Sequence, residues 1–375
     1  MPYRLNLDTD DFLQRYWQRT PVVIRQALPG FADPLSPDEL AGLALEENVA
    51  SRVILRKDDQ WQAQPGPPED YAALGEQDWQ LLVQAVNHHH GPAQALCDAF
   101  RFLPDWRFDD LMASFAVPGG GVGPHIDNYD VFILQGEGRR RWQVGQRGEH
   151  RPRPGSEGLA LVADFDPIID VELAPGDLLY IPPGYPHCGQ TLTPSLSYSL
   201  GYRAPSQQEL LSALADHLLD TGDGQRRFTS QQEPAEPARV SLAHQQGMAQ
   251  LLTTLFDQGE AWQQALGLTL SQNRFELDLW PSDEPLTPTE LSQCHQQGHS
   301  LVRLGGLKVL QLEGLAPEQL FLDGQRWVLP QGLGATATLL ARQRRLSAEQ
   351  WAPLVAACPE ALCHWLNQGY WQLET

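Results

Sequence analysis

The stretch from Val122 to Gly145, VGPHIDNYDVFILQGEGRRRWQVG, places a histidine and an aspartate two positions apart and then three consecutive arginines. Residues two apart in a β-strand project to the same face, so His125 and Asp127 can bind one metal ion together. The third ligand is predicted to be His187, which follows a bend stiffened by prolines in PGDLLYIPPGYPHCG. Two histidines and one carboxylate form the facial triad of non-haem Fe(II) oxygenases, whose open positions accept a co-substrate and dioxygen.

The three arginines begin the strand that follows a glycine-rich turn. Alternation sends Arg140 to the same face as Trp142 and Val144, which we expect to be the barrel interior, and sends the other two arginines to solvent. A buried guanidinium needs an anion, and the far carboxylate of 2-oxoglutarate would supply one. Ser114, in the strand LMASFAV, is predicted to bind the same carboxylate through its hydroxyl. The alternatives are an internal salt bridge for Arg140 and an ordinary strand hydroxyl for Ser114.

Composition narrows the function classes. The chain has 375 residues and a formal net charge of -21. This acidity disfavours direct binding to nucleic acid and favours a cationic partner, although ordinary solubility also explains it. No apolar run reaches the roughly 18–20 residues of a transmembrane helix, and the N-terminus lacks a signal-peptide pattern. Five scattered cysteines fit reduced thiols. We therefore expect a cytoplasmic protein without membrane contact.

The elements that must position these residues are short strands. Between about 101 and 205, β-rich runs separated by Gly and Pro predict a sandwich or barrel, so we expect a catalytic domain over 1–205 with its core at about 101–205. Before this core, one helix is predicted from Asp8 to about Gln18 and a second helix is predicted to begin at Ser36. Residues 206–269 read as helices, and either an oligomer interface or a helical pair packed on the barrel would explain them.

The last segment, 270–375, combines helices with a small hairpin whose turn is predicted at Asp323-Gly324. Mixed helices and a hairpin of this kind suggest a winged-helix-like domain. Such domains often bind DNA, but this segment has more acidic than basic side chains and no stripe of Lys or Arg. DNA binding is therefore disfavoured.

Several of these stretches together resemble the bacterial JmjC-type ribosomal oxygenases, the family of the arginine hydroxylases of ribosomal protein L-sixteen. The resemblance rests on SFAVPGGGVGPHIDNYDVFILQGEGRRRWQVG, ELAPGDLLYIPPGYPHCG, SYSLGYRAPSQQELL, SLVRLGGLKVLQL and NQGYW, and so covers nearly the whole chain. It implies a mainly β fold with helices: a double-stranded β-helix (cupin/JmjC jelly roll), a helical dimerisation region and a winged-helix-like C-terminal domain.

The resemblance also implies a site and partners. Fe(II) would be held by His125, Asp127 and His187, and 2-oxoglutarate by Arg140 and Ser114, with dioxygen as the second co-substrate. The implied substrate is an arginine of a basic ribosomal protein, which suits the negative charge of the chain, and the implied assembly is a homodimer.

A few other polar residues were candidates for binding. Tyr129 and Asp130 follow the metal motif and could form walls for a cationic side chain, with strand packing as the alternative. The run His88–His90 is predicted to be a solvated loop rather than a metal site, because consecutive side chains diverge. The cysteines and histidines near the C-terminus lack the paired spacing of a zinc site.

Three other functions are compatible with parts of the pattern. A cupin-type small-molecule sensor contacting DNA would need a basic terminal domain and has no use for an interior Arg140. A zinc or manganese cupin isomerase would usually gather more histidines, and metal analysis would distinguish it. A 2-oxoglutarate-dependent demethylase shares the iron chemistry, and a formaldehyde assay would separate it from a hydroxylase.

Overall fold

The computed structural model describes residues 3–68, 70–154, 159–230, 238–257 and 260–375. The chain divides into two compact units. The first contains Met1–Ala204 with Arg274–Asp278 and Leu304–Gly306; the second contains Pro205–Asn273, Leu279–Arg303 and Leu307–Thr375. The finer limits predicted from the sequence, 206–269 for a helical region and 270–375 for a winged-helix-like domain, stay predictions. No helix of the described ranges is long and apolar enough to cross a membrane.

The first unit is mainly β. Its helices are α1 (Thr9–Arg15), α2 (Pro37–Leu43), α3 (Val86–His89) and α4 (Gly91–Asp98), with 3-10 turns at Ala72–Leu74 and Asp105–Arg107. Its strands are β1 (Val22–Ile24), β2 (Ser51–Lys57), β3 (Gln60–Pro65), β4 (Trp79–Val83), β5 (Phe108–Ala116), β6 (His125–Ile126), β7 (Asp130–Gln135), β8 (Arg140–Gly145), β9 (Pro167–Leu173), β10 (Leu178–Ile181), β11 (Pro186–Thr191) and β12 (Ser195–Tyr202).

Two antiparallel sheets form the sandwich of the first unit. The larger sheet has eight strands in the order β1-β10-β7-β12-β5-β4-β2-β3, and the smaller has four in the order β6-β11-β8-β9. Sequence neighbours such as β7 and β8 lie in different sheets, so the chain crosses repeatedly between the layers, as in a jelly roll. The sandwich predicted for 101–205 is confirmed, and the larger sheet extends beyond it to β1 through β4.

Strand alternation divides the larger sheet into two faces. On β7, Phe132 and Leu134 belong to the core that also contains Phe12 and Leu40 of the helices, whereas Val131 and Ile133 pack with Trp142 and Val144 of the smaller sheet. The same period governs β10, where Leu178 and Tyr180 join the helical side and Leu179 and Ile181 the inner side. A site between the sheets is therefore built from every second residue.

Local capping accounts for the N-terminal helices. Asp8 caps α1 by accepting a hydrogen bond from the Asp11 amide, and Ser36 forms a capping box with Glu39 at the start of α2. Both starts agree with the sequence prediction. Helix α1 ends at Arg15, earlier than predicted, and Gln18 takes a positive φ of 57°. The Gln18 backbone amide instead donates a hydrogen bond to the Tyr180 hydroxyl.

The prediction of a solvated loop at His88–His90 is wrong. His88 and His89 lie in α3, and His88 is 4 % exposed. The His88 Nδ1 atom lies 2.8 Å from the Glu276 carbonyl oxygen, because residues 274–278 return to the first unit and cover this helix. Local sequence carries no signal of that long-range cover.

The second unit contains the remaining elements. Its helices are α5 (Gln207–Thr221), α6 (Leu242–Asp257), α7 (Glu260–Ser271), α8 (Pro288–Gln296), α9 (Gly334–Arg342), α10 (Ala348–Ala357) and α11 (Pro359–Asn367). Its strands are β13 (Ser300–Arg303), β14 (Val309–Leu310), β15 (Gln319–Leu322), β16 (Gln325–Val328), β17 (Arg345–Leu346) and β18 (Trp371–Glu374). The predicted hairpin turn at Asp323-Gly324 joins β15 to β16. The polar stretch TGDGQRRFTSQQEPAEPA, between α5 and α6, is typical of a linker or long loop, and its residues 231–237 lie outside the described residues.

A winged-helix arrangement is recognisable at the C-terminal end. Strands β17, β13 and β18 form a three-stranded sheet, and helices α8, α10 and α11 pack on one another. Their shared core holds fully buried aromatic side chains, Trp351, Trp365 and Trp371. Burial of such large side chains stabilises a small domain strongly.

Candidate active site

The five residues predicted from the sequence line one cavity of the first unit. The cavity has a volume of about 230 Å³ and lies between the two sheets. Its lining includes Ser114, His125, Asp127, Arg140 and His187. A concave, partly apolar chamber with a few convergent polar groups is the usual form of a small-molecule site.

Strand register brings the three metal-binding candidates together. His187 of β11 is the cross-strand partner of His125 of β6, and their ring centroids are 4.3 Å apart. The Asp127 Oδ2 atom lies 3.6 Å from His187 Nε2 and 4.0 Å from His125 Nε2. One donor atom from each of the three side chains lies within 4.8 Å of the other two. This is the only such group of three or more found among the described residues.

The backbone fixes the orientation of both imidazoles. His125 Nδ1 lies 2.8 Å from the Gly123 carbonyl oxygen, and His187 Nδ1 lies 3.1 Å from the Tyr185 carbonyl oxygen. A carbonyl oxygen can only accept, so each Nδ1 carries the proton and each Nε2 keeps a free lone pair directed at the site. Burial lowers the pKa of His187 to about 4, so this ring is neutral at pH 7.

The bend before His187 supports the aspartate as well. The Gly184 amide donates a 2.8 Å hydrogen bond to the Asp127 carbonyl oxygen. Gly184 has a φ of +86°, a value that glycine adopts without strain. The Pro182-Pro183-Gly184 bend therefore positions two of the metal-binding candidates. It holds the backbone of Asp127 by a hydrogen bond, and it leads directly into the strand that carries His187.

Arg140 is a buried cation without an acidic partner in the described part of the chain. It is 2 % exposed, and burial lowers the pKa of its guanidinium to about 9. Its Nε donates to the Ser195 Oγ at 2.8 Å and its Nη1 to the Ser114 Oγ at 3.0 Å, while Nη2 donates to the Ser114 and Ser195 carbonyl oxygens. These neutral acceptors fix the side chain but leave its charge uncompensated. The predicted interior position of Arg140 is confirmed, and no internal salt bridge of this side chain is found among the residues that the structure describes.

The neighbouring arginines behave as predicted. Arg141 is about half exposed and pairs with Asp170 of β9, and Arg139 pairs with Glu172 of the same strand. Trp142 and Val144 are buried on the Arg140 side. Arg140 is therefore the interior charge, while its neighbours Arg139 and Arg141 form ion pairs on the solvent side.

Sequence reasoning missed a carboxylate of the same cavity. Asp110 of β5 lines the cavity with Met112 and Ser114, one residue in two along the strand. It is 5 % exposed, accepts a hydrogen bond from the Ala85 amide at 3.0 Å, and lies 3.8 Å from the Arg274 guanidinium. Burial raises the pKa of Asp110 to about 6, and the charge of Asp109 adds to the rise, while the Ala85 amide and the Arg274 guanidinium oppose it.

Alternation from Ser114 would have revealed Asp110. Arg274, which also lines the cavity and binds Asp109 at 2.7 Å, returns from far along the chain and has no comparable signal.

The two substrate-wall candidates separate in the structure. Tyr129 lines the cavity, and burial together with the charge of Asp127 raises the pKa of its phenol. Asp130 is 2 % exposed, and its carboxylate accepts hydrogen bonds from the Tyr180 hydroxyl and the Gln18 side-chain amide. Asp130 is not among the cavity-lining residues, so strand packing describes it and the substrate-wall hypothesis for it is dropped.

Comparisons with known proteins agree with this geometry. The chain matches the JmjC domain over residues 95–210 and the ROXA-like winged helix over residues 250–372. It is 45% identical to the ribosomal protein uL16 3-hydroxylase of Escherichia coli over 100% of both chains. The chain belongs to the JmjC ribosomal oxygenases. A probable ribosomal oxygenase of Haemophilus influenzae is 30% identical over 97% of this chain and 95% of its own.

Solved structures of the ribosomal oxygenase YcfD from Escherichia coli share the fold over their full length. One X-ray structure has a TM-score of 0.94, with 44% identity and 100% coverage of both chains. Another, described as a complex with cobalt and 2-oxoglutarate, has a TM-score of 0.91 at the same identity and coverage. The predicted fold class, a JmjC jelly roll followed by a winged-helix domain, is confirmed.

Proposed function

We propose that this ribosomal oxygenase is an Fe(II)- and 2-oxoglutarate-dependent dioxygenase that hydroxylates an arginine side chain of the large-subunit ribosomal protein uL16. The observation that carries the proposal is the convergence of two imidazole nitrogens and one carboxylate on one point of a cavity that also holds an uncompensated guanidinium. The relationship to a uL16 hydroxylase supports the class of substrate.

The donor set fits iron. Two imidazole nitrogens and one carboxylate oxygen are the ligands of the non-haem Fe(II) oxygenases. In this chain the Nδ1 atoms of His125 and His187 are hydrogen-bonded to backbone carbonyl oxygens, which orient both rings as metal-binding histidines require. His125, Asp127 and His187 would hold the metal. When bound, iron with 2-oxoglutarate and dioxygen supplies the oxidising power to convert an unactivated C–H bond to an alcohol, with succinate and carbon dioxide as the other products.

Arg140 is the proposed anchor for the far carboxylate of 2-oxoglutarate. Its guanidinium is held by Ser114 and Ser195 in the wall of the cavity, so the geometry is fixed before the co-substrate binds. The anion would compensate the buried charge by accepting from the N–H of Nη1 that these contacts leave open. Ser114 would contribute its hydroxyl to the same carboxylate.

The preference for arginine follows from the opposite sign at Asp110. A buried carboxylate with a raised pKa is stabilised when a cation arrives, and the aromatic face of Tyr129 in the same cavity can pack against a guanidinium. Asp110 and Tyr129 would thus orient the substrate side chain, and exclusion of water would protect the reaction.

The test is reconstitution of the full chain without oxygen, with Fe(II), 2-oxoglutarate and purified uL16, followed by admission of air. We expect a mass gain of one oxygen on uL16, located on an arginine by fragmentation, and an equal amount of succinate. His125→Ala and Arg140→Ala should lose both products. Arg141→Ala is the matched control, because this arginine lies on the same strand but faces solvent.

The other outcomes have distinct meanings. Oxygen on a residue other than arginine would overturn the arginine specificity and leave the hydroxylase. Release of formaldehyde without a mass gain would indicate a demethylase. Absence of succinate under all conditions would overturn the proposed chemistry.

We also propose that the chain forms a homodimer through the helices of residues 206–269. Helices α5 and α6 carry exposed apolar side chains that water disfavours, among them Leu211, Leu219, Leu252 and Phe256. The cytoplasmic location expected from the sequence stays a prediction.

A further inference from the structure

Two guanidinium groups lie over the ring of Trp61 in β3. The Arg153 guanidinium carbon is 4.8 Å from the centroid of the Trp61 ring, and that of Arg56 is 5.5 Å away. Arg153 also binds Asp164 at 2.7 Å and donates to the Asp59 carbonyl oxygen at 3.3 Å. The hairpin of β2 and β3 is thereby tied to the connection between β8 and β9.

This connection supplies an additional strand-like segment beside His125. Leu161 forms an antiparallel bridge with His125, and the Val162 amide donates a 2.8 Å hydrogen bond to the Pro124 carbonyl oxygen. On its other side, Leu161 accepts a hydrogen bond from the Arg153 amide at 2.9 Å. Leu161 also lines the cavity, so this segment connects Arg153 to the wall of the candidate active site.

Gly123 is the point where the tryptophan reaches the histidine. A Cβ atom at Gly123 would lie 2.8 Å from the Trp61 ring and 3.1 Å from Leu161, so only a glycine leaves space for both. Its φ of +87° turns the backbone so that the carbonyl oxygen accepts from His125 Nδ1 at 2.8 Å. The ring of Trp61 thus packs directly on the peptide that orients His125.

We propose that Trp61 is a positioning residue for the metal centre, acting on His125 through Gly123 and the Leu161 segment. The inference rests on the proposed function, because it takes His125 to be a metal ligand. Trp61 is itself absent from the cavity lining. Loss of groups that orient metal-binding histidines typically weakens metal binding by about 10- to 100-fold. Removal of Trp61 should have an effect in that range.

The experiment is titration of the full chain with Co(II), followed by the visible absorption of the bound ion. In Trp61→Ala we expect a dissociation constant raised about 10- to 100-fold and an altered absorption spectrum. Trp61→Phe keeps an aromatic ring against Gly123 and should restore most of the affinity. Trp106→Ala is the matched control, because Trp106 also carries an arginine over its ring, that of Arg107, but its ring is not among the atoms nearest to Gly123.

A double-mutant cycle tests the path through Gly123. Gly123→Ala should weaken Co(II) binding in the wild-type background. Its effect should be smaller when Trp61 is already alanine, because the contact with the ring is removed and only the strain of the positive φ and the contact with Leu161 remain. Additive effects would overturn the path, and unchanged Co(II) binding by Trp61→Ala would overturn the role of Trp61. If the wild-type chain itself binds no Co(II), the proposed metal site fails and this inference fails with it.

Discussion

At the scale of single residues, the cavity contains two buried charges of opposite sign that the protein does not fully compensate. Among the described residues, the Arg140 guanidinium has neutral acceptors only. Asp110 accepts from the Ala85 amide and lies 3.8 Å from the Arg274 guanidinium, which binds Asp109 more closely. Burial shifts both pKa values toward the neutral forms, to about 9 and about 6. A ligand with a carboxylate at one end and a substrate with a cation at the other would compensate both charges. This complementarity supports the proposed pair of reactants, 2-oxoglutarate and an arginine side chain.

Replacement of Arg140 by lysine is expected to raise the KM for 2-oxoglutarate by roughly 10- to 100-fold. A lysine keeps the charge but loses the planar fork that Ser114 and Ser195 hold, which corresponds to about 1.5–3 kcal/mol for a charged hydrogen bond. Succinate formation at varied co-substrate concentration measures the effect. Arg141→Lys should leave the KM unchanged, and an equal rise in both variants would contradict the assignment.

The charge of Asp110 predicts a pH dependence. Above its pKa of about 6 the carboxylate is ionised and attracts a guanidinium, and below that pH it is neutral. We therefore expect kcat/KM for uL16 to fall as the pH is lowered from 7 to 5, with an inflection near 6. Asp110→Asn keeps an oxygen for the Ala85 amide but should lack this inflection and lose about 10- to 100-fold at pH 7. An identical pH profile in both proteins would rule out this role for Asp110.

At the scale of elements, strands β4, β5, β7 and β12 of the larger sheet each have one face in the helical core and one face that lines the cavity. On β5, Leu111 and Ala113 join the helical core, while Asp110, Met112 and Ser114 line the cavity. The same two-residue alternation holds on β8 of the smaller sheet, where it correctly predicted from the sequence that Arg140, Trp142 and Val144 share the interior face. Alternation gives the face of each side chain but not its neighbours on other strands. The pairing of β6 with β11 makes His125 and His187 neighbours.

The face in the helical core can be tested separately from the face that lines the cavity. Phe132 of β7 is fully buried in an aromatic cluster with Phe12, Phe100 and Tyr180. Phe132→Ala is expected to lower the free energy of unfolding by about 3–5 kcal/mol, measured by denaturant titration, with little change in Co(II) affinity of the folded protein. Leu45→Ala, at a position 64 % exposed, should change stability by less than about 0.5 kcal/mol. Comparable losses in the two variants would contradict the assignment of faces.

At the scale of the whole molecule, the chain consists of two units. The jelly-roll unit contains the proposed metal ligands His125, Asp127 and His187, and the second unit contains none of them. Apolar side chains left exposed on α5 and α6 are the observation that favours a dimer contact there. The winged-helix part buries Trp351 and Trp365 in its own core, although Trp280 and Val328 are exposed.

The dimer proposal predicts a mass twice that of the chain in solution. Light scattering after size-exclusion chromatography should give a dimer for the wild type and a monomer for the double variant Leu219→Glu/Leu252→Glu, because charges on an apolar interface oppose association. Val328→Glu, at another exposed apolar position of the same unit, should remain dimeric. A wild-type monomer at micromolar concentration would reject the proposal.

The sequence by itself determined what depends on short periods and local chemistry. Alternation placed His125, Asp127 and Arg140, turn residues located the bend before His187, and capping residues marked the starts of α1 and α2. Only the tertiary structure decided which distant groups meet. Arg274 beside Asp110, the cover over His88, and Trp61 against Gly123 all join segments far apart along the chain. Such contacts arise from packing of whole elements, which leaves no periodic trace in the residues that make them.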